Sequence, residues 1–254
     1  MPKDATGGKA DWSPGHEIEI KFKTTRDGLE RALASPLLLP AAPPRRHNLR
    51  TIHYDTRSGG LRKAQMVLRV RKAAGAVPLL GIKALGAEQG HPFKRREIEV
   101  RSPRGRADPG LFDAETAALV SKAAGGEALE PRFEIHTKRR TLQVRHGGSD
   151  IEVAFDGCVI LAGGRTEPLF EVELELKSGQ VTDLCAFALT LAADLPLALD
   201  FLSKSEKGYR LAEGRPAEPV KAAPVLLDPG TKLDGAIHAI VSNTLEHFVA
   251  NWAA

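Results

Sequence analysis

The sequence predicts a mainly β, α+β fold: antiparallel strands that close into a barrel, with flanking helices and one further helix near the C-terminus. Three observations predict it. Segments of strand length with strict two-residue alternation recur from residue 16 to beyond residue 170, as half-buried strands require. The polar faces of these segments are dense in charge. Amphipathic stretches lie between them and can cover the apolar face of a sheet.

Composition bounds the possibilities. The chain has 254 residues, 42% hydrophobic and 27% charged, enough for one large domain with its own core, or one domain plus a fragment. A formal net charge of +4 suits an anionic ligand without demanding nucleic acid. Basic residues are not interleaved with aromatics, which make up only 5% of the chain, so no nucleic-acid partner is expected. Cys158 and Cys185 form no CxxC and no zinc-ligand spacing. Both read as small buried hydrophobes in a reducing cytoplasm. No segment is apolar for long enough to span a bilayer, so no membrane partner is expected. Residues 1–14 lack the apolar core of a signal peptide and read as a disordered leader.

The elements follow in order. His16 to Lys23 alternates Glu17, Glu19 and Lys21 against Ile18, Ile20 and Phe22, a strand. Thr24 and Thr25 cap a helix running to about Leu38, and Pro40 to Pro44 is a loop. Strands are expected at Arg50–Asp55, at Met66–Lys72 with Leu68 and Val70 opposite Arg69 and Arg71, at Pro78–Lys83, and at Arg95–Arg101 with Glu97 and Glu99 on one face. Gly86 to Pro92 is a loop. Asp108-Pro109 opens a helix through about Ala124, because Asp caps and Pro suits the first turn. Arg132–Arg145 places His136, Lys138 and Arg140 opposite Ile135. Asp150–Val159 places Glu152 and Asp156 opposite Ile151, Val153 and Phe155, and Phe170–Lys177 places Glu171, Glu173 and Glu175 opposite Val172 and Leu174. Val181–Asp194 is an apolar helix, Leu202–Tyr209 a short closing element, and residues 212–230 a Pro/Ala-rich linker. Lys232–Trp252 is an amphipathic helix whose apolar side needs cover, from the barrel, from a second copy in a homodimer, or from the rest of a longer parent chain.

Acids are grouped on strand faces (Glu17/Glu19, Glu97/Glu99, Glu171/Glu173/Glu175), and so are bases (Arg69/Arg71, Lys138/Arg140). For one strand, a solvated outer face explains this. Across six strands it does not, because like charges two apart on one face lie within roughly 7 Å and repel. A barrel with apolar faces outward under helices and charged faces lining a wet lumen supplies a reason. Grouped carboxylates without a Cys or His cluster suit Mg²⁺ or Mn²⁺. Arg and Lys suit phosphate oxygens. Of the histidines, His53 and His136 lie in strands; either could reach the lumen, but the first reading of each is a satisfied structural residue.

The run Glu17-Ile18-Glu19-Ile20-Lys21 resembles the ExExK motif that opens the CYTH, or triphosphate tunnel metalloenzyme, family. Tyr54-Asp55-Thr56, Leu68-Arg69-Val70-Arg71, Lys83, the Glu97/Glu99 pair, Lys138/Arg140, Glu152 with Asp156, Glu171 to Glu175, and Ser203-Lys204 with Gly208-Tyr209 resemble its later motifs in order. The resemblance covers residues 15–211 and implies an eight-stranded antiparallel closed tunnel that hydrolyses inorganic triphosphate, or acts on polyphosphate, with Mg²⁺ or Mn²⁺. It implies phosphate binding by Lys21, Arg69, Arg71, Lys83, Arg95, Lys138, Arg140 and Lys204. Metal ligands would come from Glu17, Glu19, Glu99, Glu152, Asp156, Glu173 and Glu175. Lys21, Glu97 and Glu171 would be catalytic, either acid orienting the attacking water. The helix at residues 231–254 resembles the start of a CHAD domain, a helical module associated with polyphosphate. A class IV-type adenylyl cyclase is the first alternative, and it needs a nucleoside pocket for which no base-stacking aromatic set is evident. A polyphosphate-binding module without catalysis is the second, and it leaves the grouped carboxylates without a purpose.

Overall fold

The computed structural model describes residues 16–38, 43–84, 94–214 and 219–252, with residues 16, 17, 84 and 94–96 described by backbone alone. The expected loops at 40–44 and 86–92 therefore fall largely or wholly outside the described residues, as does the leader.

The chain opens with β1 (His16–Lys23) and α1 (Arg26–Leu33). Thr25 caps α1, its hydroxyl accepting the Gly28 N–H at 3.0 Å. The helix is shorter than expected: Pro36 lacks an amide donor and disfavours helix in the residue before it, so the chain makes only a 3-10 turn at Pro36–Leu38. Next come β2 (Arg45–Asp55), α2 (Gly60–Lys63), β3 (Met66–Ala73), β4 (Leu79–Ala84) and β5 (Lys94–Arg101). The helix expected from Asp108 starts later, as α3 (Ala114–Ala124). Asp108 caps a single 3-10 turn, Phe112 is extended, and Asp113 restarts the helix by accepting the Thr116 N–H at 2.8 Å. Three long strands follow, β6 (Glu130–His146), β7 (Ser149–Ala162) and β8 (Arg165–Ser178), then α4 (Val181–Asp194), the two-residue β9 (Ala198–Leu199), α5 (Lys204–Glu213) and α6 (Leu233–Ala250).

All strand pairings are antiparallel, in the order β5-β4-β3-β2-β6-β7-β8-β1-β9. Glu19–Lys23 of β1 pair with β8, while His16–Ile18 pair with Lys94–Arg96 of β5 at the other end of the order. The architecture is thus a mainly antiparallel sheet with flanking helices. Eight strands carry it, and β9 adds a short edge.

Two apolar clusters sit on one face, under helices. Ile20, Phe22, Val153, Phe155, Val172 and Leu174 pack with Leu29 of α1 and with Leu184, Phe187 and Leu191 of α4. Leu68, Val70, Leu80 and Ile82 pack with Leu61 of α2 and Val120 of α3. Each such fully buried side chain contributes about 1.5–3 kcal/mol. A third cluster lies on the opposite face: Phe133, Ile135, Cys158 and Ile160 pack against Tyr209 of α5. On β7, Cys158 and Ile160 have the parity of Asp156, and Val153 and Phe155 the reverse. Thus α5 fills one end of the concave face, and Gly208 makes this possible, since a Cβ there would collide with the Phe133 ring.

Cys158 is buried as expected, but Cys185 is exposed, on the outer side of α4. No described helix is long and apolar enough to cross a membrane. The apolar side of α6 stays largely open, with Leu233, Ile237 and Leu245 all exposed. Its C-terminal end is held by Trp252, which packs edge-on against Phe201 and donates from Nε1 to the Leu199 carbonyl at 2.8 Å.

Candidate functional site

The concave face encloses a cavity of about 540 Å³. Alternation on each strand decides what lines it. β1 contributes Glu19 and Lys21, β3 Arg69 and Arg71, β4 Lys83, β5 Glu97 and Glu99, β7 Glu152 and Asp156, and β8 Glu173, Glu175 and Lys177. The first turn of α5 contributes Ser203, Lys204 and Ser205.

At the α5 end, three carboxylates converge: Asp156, Glu171 and Glu173 each offer an oxygen within 4.8 Å of the others. Asp156 and Glu171 are fully buried. Cations hold them there. The Arg139 guanidinium donates to both oxygens of Asp156 at 2.7 and 2.6 Å and to Glu173 at 2.6 Å. Lys204 Nζ lies 2.9 Å from Asp156, 2.7 Å from Glu171 and 2.5 Å from Glu173. Lys207 reaches Glu171 at 2.6 Å and Asp200 at 2.5 Å. Burial by itself would raise the Glu173 pKa, but Lys204 and Arg139 together outweigh it and hold the carboxyl well below its ordinary value. The same balance raises Lys204 and Arg139 well above theirs: burial opposes the charge, and the carboxylates win. Lys21 differs. It is buried, its Nζ donates to the Leu202 carbonyl, and desolvation outweighs the pull of Glu171 and Glu173, lowering its pKa.

A second group lies along β3, β4 and β5. Arg69 pairs with Glu97 and stands 3.4 Å from Glu99, Arg71 is 3.4 Å from Glu99, and Lys83 is 3.3 Å from Glu97. Repulsion from Arg69, then burial, brings Arg71 down to about 10. Glu152 and Glu175 share Lys177, at 3.6 and 2.7 Å.

Most predicted residues thus meet around one cavity: Lys21, Arg69, Arg71, Lys83 and Lys204 with Glu19, Glu97, Glu99, Glu152, Asp156, Glu173 and Glu175. Glu171 joins the carboxylate cluster but stands behind the lining, between Lys204 and Lys207. The side chains of Glu17 and Arg95 lie outside the described residues, while the backbone pairs these two positions between β1 and β5. Lys138 and Arg140 require correction. Both point away from the cavity: Lys138 is exposed, and Arg140 bonds Glu30 on the outer surface at 2.5 Å. The cavity residue is Arg139, directly opposite Asp156 in the β6–β7 register. The expectation assumed apolar strand faces always turn outward. On β6, Phe133 and Ile135 turn inward to meet α5, and odd-numbered residues follow them. In the run Lys138-Arg139-Arg140, charge alone could not pick the inward residue, and parity from Ile135 picks Arg139 only once α5 has drawn Ile135 inward. Lys207 was missed as well; it lies one helical turn from Lys204, the spacing that brings both onto one face.

The donor set fits a hard divalent cation. Three carboxylates and no thiolate or imidazole among them is oxygen chemistry, and Lys204 and Arg139 balance their charge.

Comparison with known proteins places this fold. Over 163 residues, 63% of this chain, the sequence is 31% identical to an inorganic triphosphatase of Haemophilus influenzae, and the match spans 44% of that protein's length. The fold is similar to a Hippeastrum candidate adenylyl cyclase that shows a dominant triphosphatase activity, with a TM-score of 0.54, 17% identity, and 78% of this chain and 96% of that one covered. It is similar also to a Pyrococcus horikoshii protein, with a TM-score of 0.50, 17% identity, and 78% and 99% covered. Residues 15–209 match the model of the CYTH domain, and the chain belongs to that family.

Proposed function

We propose that this protein hydrolyses inorganic triphosphate to phosphate and pyrophosphate, using a divalent metal, inside a tunnel that the β1–β5 pairing closes. The observation that carries this reading is the convergence of Asp156, Glu171 and Glu173 within 4.8 Å at the wall of a cavity that Asp156 and Glu173 line together with Lys21, Arg69, Arg71, Lys83 and Lys204. An anion binder needs the bases alone. A phosphoryl-transfer site needs both, because the transferred group carries charge that cations must offset and metal must be held by acids.

In this reading Asp156, Glu171 and Glu173 hold the metal, with Glu17 and Glu19 as further candidates from β1. Bound Mg²⁺ or Mn²⁺ supplies charge neutralisation at the phosphoryl oxygens. The chain's own cations do the rest of the positioning. Arg69, Arg71 and Lys83 bind phosphate oxygens along one wall, Lys204 and Arg139 offset the charge of the carboxylates that would hold the metal, and Lys21 meets the transferred group. Glu97 orients a water for attack on the terminal phosphorus and accepts its proton as the P–O–P bond breaks, and pyrophosphate leaves. The cavity lining contains no Phe, Tyr or Trp among the described residues, so no platform for a base is present there, which favours inorganic triphosphate over ATP.

The test is phosphate release from inorganic triphosphate, with ATP and pyrophosphate in parallel, each with Mg²⁺, Mn²⁺ or chelator. Metal-dependent release from triphosphate far above that from ATP is expected. Cyclic AMP formation from ATP, or tight binding of polyphosphate without turnover, would replace this reading.

A further inference from the structure

His53 has no role in the scheme above, and its setting is not that of a core residue. It lies on β2 opposite Arg69 of β3 and Phe133 of β6 and lines the cavity, yet it is only 4% exposed. Its ring stacks on Phe133 at 4.4 Å and 17°. Phe133 in turn meets Tyr209 of α5 edge-on at 5.0 Å, and the Tyr209 hydroxyl donates to Asp55 at 2.9 Å. The imidazole plane is thereby set by a stack reaching from β2 to the helix that carries Lys204. This order satisfies neither its own nitrogen nor its neighbour's. Among the described residues, two buried side-chain nitrogens lack a hydrogen-bond partner: His53 Nδ1 and Arg69 Nε. They belong to directly opposed residues on the same face.

Unpaired buried polar atoms are costly and rare. Phenylalanine at position 53 would stack on Phe133 without that cost. The pairing also has a direction. A guanidinium nitrogen can only donate, so what is missing beside Arg69 is an acceptor, and the cavity's other cations mark it as anionic. Burial, then Arg69 and Arg71, hold the His53 pKa well below its ordinary value. The ring therefore stays uncharged, keeps one N–H to give, and does not compete for the carboxylates.

We infer that His53 is a substrate-binding residue, donating a hydrogen bond to a phosphoryl oxygen that Arg69 also contacts. This rests on the reading of the cavity as a polyphosphate site, and it adds a residue outside the matched motifs. It is also a point of specificity. The imidazole adds a directional contact without adding charge, so it selects for position along the chain of phosphates where a lysine would select for charge alone.

The test titrates inorganic tripolyphosphate, in chelator, into the native protein, H53F and H53Q by calorimetry, with thermal melts of each. H53F is expected to bind about tenfold more weakly, the effect of one hydrogen bond to a charged oxygen, while melting at or above the native temperature because an unpaired nitrogen is gone. H53Q, which retains an amide donor, should recover part of the affinity. Equal affinity in H53F and native protein would overturn the inference, as would a lower melting temperature with unchanged affinity, the mark of a packing role. Should H53F fail to fold, the His53 imidazole ¹⁵N resonances of the native protein decide: they shift on saturation with tripolyphosphate if the contact forms, and an unmoved signal refutes it. Native protein that binds but does not hydrolyse tripolyphosphate would sink the triphosphatase reading and leave this one standing. Hydrolysis with an unaltered H53F would do the reverse.

Discussion

Replacing Arg139 with methionine tests both the carboxylate cluster and the strand face that builds it. Arg139 makes three hydrogen bonds to Asp156 and Glu173, all at 2.6–2.7 Å, and Asp156 is fully buried. Methionine keeps much of the volume and removes the charge. Breaking a buried pair from one side typically costs about 3–5 kcal/mol, because the remaining charge is left uncompensated. Here Lys204 still stands 2.9 Å from Asp156 and 2.5 Å from Glu173, which places the loss at the lower end, about 3 kcal/mol. For a chain of this size that is a fall of roughly 6–12 °C in melting temperature. The neighbours provide the control. Lys138 and Arg140 lie on the outer surface, so K138M and R140M should each cost no more than about 0.5–1 kcal/mol. Differential scanning calorimetry on the three variants reads this directly, with triphosphate turnover measured on each. If R139M melts within about 2 °C of the native protein while K138M or R140M costs more, the face assignment of β6 is wrong, and the cluster with it.

Three other outcomes follow from particular contacts. K21M removes a buried cation whose charged form is already penalised by desolvation, so the fold should persist while triphosphate turnover falls about 10²–10³-fold, as for loss of one preorganised electrostatic contact; full turnover would remove Lys21 from the site. G208A forces a Cβ into the Phe133 ring and should cost about 1–3 kcal/mol in chemical denaturation, because α5 must move off the sheet; an unchanged denaturation midpoint would contradict the α5 packing. His53 has a folded pKa well below its unfolded 6.5. The unfolded chain then binds a proton that the folded one refuses, so this contribution is present in full above pH 6.5 and is lost as pH falls from there toward the folded pKa. Melting temperatures between pH 7.5 and pH 5 should fall more steeply for the native protein than for H53F, and parallel slopes would show that the ring titrates freely.

Much of the molecule is decided locally and is legible residue by residue. Alternation over Glu17–Lys21, Leu68–Arg71, Ile151–Asp156 and Glu171–Glu175 set the strands, because a two-residue period is a property of the extended backbone itself. The bounds of α4 at Val181 and Asp194 coincide with the apolar run. The charged lining follows from the same period, since a strand that buries Leu68 and Val70 must turn Arg69 and Arg71 the other way. Motif order supplied Lys83, Lys204 and the family.

What only the tertiary structure decided is which side of β6 is inside. Nothing in Lys138-Arg139-Arg140 distinguishes the middle residue. It faces in because Phe133 and Ile135, six and four positions earlier, pack on Tyr209 and Gly208 of α5, and parity carries that choice along the strand. The same packing lays the His53 ring on Phe133, and it tucks Glu171 behind the lining between Lys204 and Lys207. A helix seventy residues further along the chain sets these positions, and alternation within one strand fixes only that neighbours face opposite ways. Which way is inward depends on what the fold brings against it.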